Sequence, residues 1–319
     1  MIEHLIKKVD ILSVFAPCKD LLDKRFGDIL KQYSDNTEIS KNTIAILGVP
    51  QDLGVIRNGG RPGAALGPEA IRKALYKLTV HGLSKQLDHI DIIDIGDIDC
   101  EGETLESIRE KHYAVAREIL ESGAKLIVIG GGHDCAYPDA KALNSVSESI
   151  SVINVDPHLD IRDLIEGKAH SGSPFREIQT ALSPAFLHEF GIQEFSVSTH
   201  HVEYAQQCSI GISWYSDLRY RNSINQDFLE IMLLGKRSSN NVFVSFDTDS
   251  ISSAYAPGVS APGAIGFTSD EIIGMSYLAA SNNATVIDFV EMNPQYDQDG
   301  RTAKIIALCI AMAIKGWLE

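Results

Sequence analysis

Along most of the chain, short apolar runs alternate with longer amphipathic ones. Thr43–Val49, Ile90–Ile95, Leu126–Ile129, Ser151–Val155, Leu187–Ile192, Gly211–Trp214, Val242–Phe246 and Thr285–Phe289 have the length of strands. Several are apolar throughout rather than alternating, as expected of strands covered on both faces. Between them, apolar residues recur at helical spacing over residues 68–78, Leu105–Glu121, Ala136–Leu143, His200–Gln207, Gln226–Leu234, Ser269–Ala279 and Thr302–Trp317. Pro68 suits the first turn of its helix. The alternation predicts an α/β fold on a mainly parallel sheet. The N-terminal segment differs. Leu21, Leu22, Phe26, Ile29, Leu30 and Tyr33 recur at helical spacing, so residues 1–42 are expected to form a helical arm ahead of a single domain, residues 43–319.

Composition narrows the partners. The formal net charge is −15, and no basic stripe is visible, which argues against nucleic acid and anionic membranes because phosphate contacts need clustered Lys and Arg. Met1–Pro17 has no long apolar core of the kind a secretory signal carries. No run approaches the roughly 20 apolar residues of a membrane span. Cys18, Cys100, Cys135, Cys208 and Cys309 have neither zinc nor redox spacing, so reduced thiols and a cytoplasmic location are expected.

Three segments change the picture. Gly130-Gly131-Gly132-His133-Asp134, Asp156-Pro157-His158-Leu159-Asp160 and Ser245-Phe246-Asp247-Thr248-Asp249 each follow or end an apolar run. Residues two apart in an extended backbone point to one side, so Asp156, His158 and Asp160 are expected to converge, as are Asp247 and Asp249. Ligands in parallel sheets sit beyond the carboxyl ends of the strands. Four carboxylates and two imidazoles without a thiolate suit hard or borderline divalent ions, manganese before zinc. Two such ions would cancel the four negative charges.

These segments, in this order, resemble the ureohydrolase family of arginases, agmatinases and formimidoylglutamases. The resemblance extends to Asn58-Gly59-Gly60-Arg61-Pro62-Gly63 through Arg72, to Ala256-Pro257-Gly258, and to Val290-Glu291-Met292-Asn293-Pro294 with Asp297 and Thr302-Ala303. It implies a three-layer α/β/α arginase-like fold and two Mn2+ per subunit. One ion would be held by His133, Asp156, Asp160 and Asp247, the other by His158, Asp156, Asp247 and Asp249. Two metals so held can activate a shared water for attack on an amidinium or guanidinium carbon. Asp160 matches the family position that relays the proton, and Glu291 the carboxylate that pairs with the amidinium. The family commonly assembles as trimers or hexamers, so a homo-oligomer is expected.

Departures bear on the substrate. Arginases and agmatinases carry a catalytic histidine in a His-Gly-x-Pro motif. Aligning Gly172 and Pro174 with it places Ser171 there, with His170 one residue off. Ser171, Arg162 and the segment Phe190–Phe195 look like the formimidoylglutamase branch. Arg162 could grip a substrate carboxylate or balance the nearby aspartates. Gln193 and Glu194 occupy a position where family members contact the amino-acid end of the substrate. Pro157 replaces the usual Ala, Ser252-Ser253 the usual Asp-Pro, and Ala261 a usual Thr. The expected reaction is therefore hydrolysis of N-formimino-L-glutamate to L-glutamate and formamide, a step of histidine breakdown. The alternatives are a guanidino-compound hydrolase that releases urea and a metal-binding member that no longer catalyses.

Overall fold

Among the described residues, ten strands make one sheet: β1 (Ile6–Lys7), β2 (Lys31–Gln32), β3 (Thr43–Gly48), β4 (Asp91–Ile98), β5 (Lys125–Ile129), β6 (Ser151–Val155), β7 (Phe186–Ile192), β8 (Gly211–Trp214), β9 (Val242–Asp247) and β10 (Val286–Val290). The computed structural model describes residues 2–17, 20, 22–34, 36–83 and 89–319. The order is β1-β4-β3-β5-β10-β9-β6-β7-β8, with β2 also on β4. Every pairing is parallel except that of β1 with β4.

The continuous apolar runs follow from burial on both faces. In β5, Ile127 and Ile129 join one core with Ile71 and Leu75 of the helix Gly67–Leu75, Phe228 and Met232 of Ile224–Ser238, Met275 of Ser269–Ser281, and Ile306 and Ile310 of Arg301–Leu318. Leu126 and Val128, pointing the other way, join a second core with Ile108, Val115 and Ile119 of Leu105–Glu121 and with Ala136, Ala140 and Leu143 of Ala136–Ser145. The result is a three-layer α/β/α arrangement. Helix starts follow local chemistry: Thr268 accepts from the Glu271 N–H while Glu271 reaches back to the Thr268 N–H, and Thr104 accepts from the Ser107 N–H.

Among the described residues the expected helical arm is replaced by short turns and strands. Phe26–Ile29 is a single helical turn, Ile11–Val14 another, and β1 and β2 pair with β4. Phe26, Leu30 and Tyr33 are buried but Leu22 is 94% exposed, and the buried three pack against the sheet edge from a chain that turns. Leu21 lies outside the described residues, as does Cys18. A 3.6-residue period over so short a segment does not separate a helix from a folded strap with the same buried positions.

Candidate metal centre

β5, β10, β9 and β6 are neighbours in the sheet, and their carboxyl ends carry every expected metal ligand together with Glu291. The chain order jumps here, since β6 lies beyond β10 and β9, and such reversals open a crevice at the strand ends. After β5, the glycines Gly130–Gly132 let the chain cross the loop before Leu53. A Cβ at Gly131 would lie 1.7 Å from the Gln51 carbonyl oxygen, which instead accepts the Gly132 N–H at 3.0 Å. That crossing aims His133 inward.

The His133 imidazole defines the first ligand group. Its Nε2 shares a 3.0 Å hydrogen bond with Ser245 Oγ, whose own hydrogen goes to Asp288 Oδ1 at 2.6 Å. The proton is thereby placed on Nε2 and the lone pair on Nδ1. Nδ1 lies 3.3 Å from Asp156 Oδ2 and 3.1 Å from both Asp160 Oδ2 and Asp247 Oδ2. It is buried and makes no aligned hydrogen bond. Ligand atoms of these four residues all lie within 4.8 Å of one another, as do those of His158, Asp247 and Asp249. Asp247 belongs to both groups. Asp156 approaches the second through its Oδ1, 3.2 Å from His158 Nδ1.

Convergence is achieved by bending rather than by strand alternation. β6 ends at Val155, and Asp160 sits at φ 44°. The His158 N–H donates to Asp156 Oδ1 at 2.7 Å, so His158 turns to the second group while Asp160 returns to the first. Likewise Asp247 caps a tight turn, accepting the Asp249 N–H at 2.6 Å. Glu291 lies at φ 64°, and its Oε1 accepts the His133 N–H at 2.8 Å. Asp160 and Glu291 are non-glycine residues held in the sparsely populated left-handed region, a form of strain that clusters at working sites.

The electrostatics fit divalent cations. Burial pushes the Asp249 carboxyl well above its usual range, helped by Asp247 and Glu291. Burial and the charge of Asp156 push Asp247 up to about 6. Burial and Asp247 push Glu291 up to about 8. Burial alone would lower the histidines, but contact with the carboxylates outweighs it, raising His158 to about 10 and His133 well above its usual range. Without cations, the cluster has to retain protons to offset its own repulsion; two divalent ions would replace them. Oxygen and imidazole donors suit manganese. Cys135 is no competitor, since burial pushes its thiol well up, keeping it protonated.

The groups floor a pocket of about 480 Å3 lined by His158, Asp160, Arg162, Ser171, Asp247, Asp249 and Glu291, and also by Asn58, Ser260 and Ala261. Gln193 and Glu194 are not in it. Gly191 at φ 97° and the tight turn Glu194–Ser196 swing the chain outward. Gln193 Nε2 donates to the Ile265 carbonyl at 3.2 Å, and the exposed Glu194 accepts from the Ser216 hydroxyl. Both line a neighbouring cavity with Tyr215 and Arg219. His170 also faces away, its Nδ1 accepting the Gly172 N–H at 3.1 Å and its Nε2 bonding the Asp163 carbonyl at 3.0 Å.

A family model described as the arginase family matches residues 42–315. The chain belongs to the arginase family. It is 31% identical over 278 residues to the formimidoylglutamase of Legionella pneumophila strain Paris, covering 85% of this chain and 84% of that protein. With the Macrococcus caseolyticus formimidoylglutamase it shares 32% over 277 residues, 85% of this chain and 84% of that one. Among solved structures, Trypanosoma cruzi formiminoglutamase with Mn2+ superimposes with a TM-score of 0.83 at 31% identity, covering 93% of this chain and 99% of that one. Bacillus subtilis formimidoylglutamase gives 0.86 at 25% identity, covering 95% and 94%.

Within this arginase-family frame, the departures cost no ligand. Ala261 orients Asp249 through its backbone, the N–H donating to Asp249 Oδ1 at 3.2 Å. The carbonyl of Ser252 accepts the Tyr255 and Ala256 N–H groups, closing the turn after the ligands. The Pro157 carbonyl accepts the Gln193 N–H at 3.0 Å, tying the bend to the segment after β7. Ser245, Asp288, Asn154, Asn58 and Ser260 were not singled out from sequence. A signal did exist for the first three: each is a polar residue flanked by apolar ones inside a buried strand, two or three positions before a ligand or Glu291.

Proposed function

We propose that this chain is a binuclear manganese hydrolase that cleaves the C–N bond of N-formimino-L-glutamate, giving L-glutamate and formamide. The observation that carries the substrate is Arg162. Its guanidinium lines the pocket of an acidic protein, its Nη1 donates only a long 3.4 Å bond to Asn58 Oδ1, and among the described residues no carboxylate lies within ion-pair distance of it. This supports reading Arg162 as a cation available to a substrate carboxylate rather than as a partner of the aspartates. Ser171 beside it, where arginases carry histidine, leaves room and a hydroxyl.

Two Mn2+ held by the His133 and His158 groups would supply Lewis acidity and charge neutralisation at the scissile carbon. The remaining work falls to the chain. Glu291, with Oε1 held by the His133 N–H, offers its other oxygen to the amidine N–H groups and orients the carbon. Asp160 takes the proton of the attacking water and delivers it to the leaving nitrogen, which departs as the amino group of glutamate. Arg162 and Ser171 grip a carboxylate at the other end. The intact ligand set supports activity over an inactive role. We further assign residues 43–319 to a single domain preceded by the segment 1–42, and expect a trimer or hexamer in the cytoplasm. The four described cysteines are free, as that compartment favours, and no helix of the described residues is long and apolar enough to cross a membrane.

A hydrolysis panel on manganese-loaded protein, with glutamate, formamide and urea all measured, tests the assignment. Glutamate and formamide in equal amounts are expected. Urea from a guanidino acid, with no turnover of N-formimino-L-glutamate, would replace it with the guanidino reading.

A further inference from the structure

Asn58 has no role in the reaction described above, yet its side chain joins the two residues that set the far end of the pocket. Asn58 Nδ2 donates to Ser171 Oγ at 3.1 Å, and Arg162 Nη1 donates to Asn58 Oδ1 at 3.4 Å. A guanidinium can only donate, so the amide oxygen must face Arg162 and the amide nitrogen must face Ser171. This polarity has a consequence at Ser171. Its oxygen accepts from Asn58, and its own hydrogen remains free. Arg162 and Ser171 then present only donors to the pocket, which is the complement of a carboxylate.

The backbone holds the three residues in register. The Gly54 carbonyl accepts both the Asn58 N–H at 3.0 Å and the Ser171 N–H at 3.1 Å. The Arg162 N–H donates to the Gly172 carbonyl at 2.9 Å. A Cβ at Gly172 would come within 3.0 Å of both Arg162 Cδ and Asn58 Nδ2, so glycine leaves the lane along which the arginine stem lies. An exposed arginine otherwise samples many rotamers, at a cost on binding. The Gly172 lane and the long Asn58 contact narrow them in advance while leaving the other guanidinium donors free for a ligand.

We propose that Asn58 is a specificity-determining, positioning residue: it fixes Arg162 and sets Ser171 as a donor, so that the three form one carboxylate-binding subsite. The inference rests on the N-formimino-L-glutamate reading above and deepens it. Asn58→Asp should be worse than Asn58→Ala, because an aspartate would pair with Arg162 and consume the free Ser171 hydrogen.

The test is calorimetric binding of L-glutamate to manganese-loaded wild type, N58A, N58D, R162A and N58A/R162A, alongside KM and kcat for N-formimino-L-glutamate. About tenfold weaker glutamate binding is expected for N58A, the scale of one hydrogen bond to a charged group, and about 100-fold for N58D. KM should rise by similar factors, well beyond any fall in kcat, with manganese content unchanged. The Asn58→Ala change should cost less in the R162A background than in wild type, because only its share through Ser171 remains there and coupled residues are not additive. If wild type hydrolyses the substrate while N58A and N58D match its KM and glutamate affinity, or if the double variant is additive, the subsite is overturned and the substrate assignment stands. If wild type neither binds glutamate nor hydrolyses N-formimino-L-glutamate, both fall.

Discussion

Asp247 is where the two ligand groups meet, so its loss should be felt by both ions. Replacing a group that merely orients a metal ligand costs about 10–100-fold in metal affinity or activity. Asp247→Ala removes a ligand shared by both groups and should exceed about 100-fold in kcat, with manganese per chain falling on elemental analysis. Retention of a near-wild-type rate would contradict a shared centre. Ser245→Ala probes the support rather than the ligand. It removes the acceptor that holds the His133 Nε2–H, and about 10–100-fold weaker manganese binding should follow in a chelator competition. An unchanged affinity would mean that packing alone, such as the edge-on contact of His133 with Phe175 at 5.2 Å between ring centres, fixes the imidazole.

The elements around the site depend on close backbone approach more than on propensity. Gly131→Ala would push a methyl into the Gln51 carbonyl, and backbone cannot yield as a flexible side chain can. Overpacking of this kind costs roughly 1–3 kcal/mol, and because the displaced loop carries His133, manganese binding should fall along with Tm. A variant that keeps both would show that the crossing of the two loops is not what aims His133. At this scale much was legible in the sequence. The runs read as strands are strands, and the helix Leu105–Glu121 has the bounds its periodicity gave, because burial on one stripe leaves a strong 3.6-residue signal. The ligand turns were not legible. Strand alternation put Asp156, His158 and Asp160 at one point, whereas a bend with a left-handed Asp160 sends His158 to one group and Asp160 to the other, and periodicity carries no record of such a bend. Gln193 and Glu194 show the same limit, since one left-handed glycine turns them into another cavity. The N-terminal strap was misread for the opposite reason: Phe26, Leu30 and Tyr33 are buried but Leu22 is not, and tertiary pairing with β4 overrides the helical spacing.

For the molecule as a whole, the buried cluster ties stability to pH and to metal. In metal-free protein Asp247, Asp249 and Glu291 have folded pKa values above their unfolded ones, so between those values the folded state binds more protons and stability falls as pH rises. His158, raised to about 10, acts in the same direction, its contribution being full below the unfolded histidine value and lost as pH climbs towards 10. Asp156, held below its usual range by His133 and His158 despite burial, contributes in the opposite sense, but only in strong acid. Chelated protein should therefore show a lower Tm at pH 8.5 than at pH 5.5. Manganese should reverse that order, because its ligands must shed protons to bind and binding at about 100 times Kd adds about 2.7 kcal/mol. The same Tm order with and without manganese would contradict this linkage.

Diffraction data from a manganese-loaded crystal, collected at the manganese absorption edge, bear most directly on the two-metal centre. Two anomalous peaks are expected, roughly 3.5–4 Å apart, one against His133 Nδ1 and the other against His158 Nδ1, with the Asp247 carboxylate between them. A single peak, or none at these residues, would contradict the account.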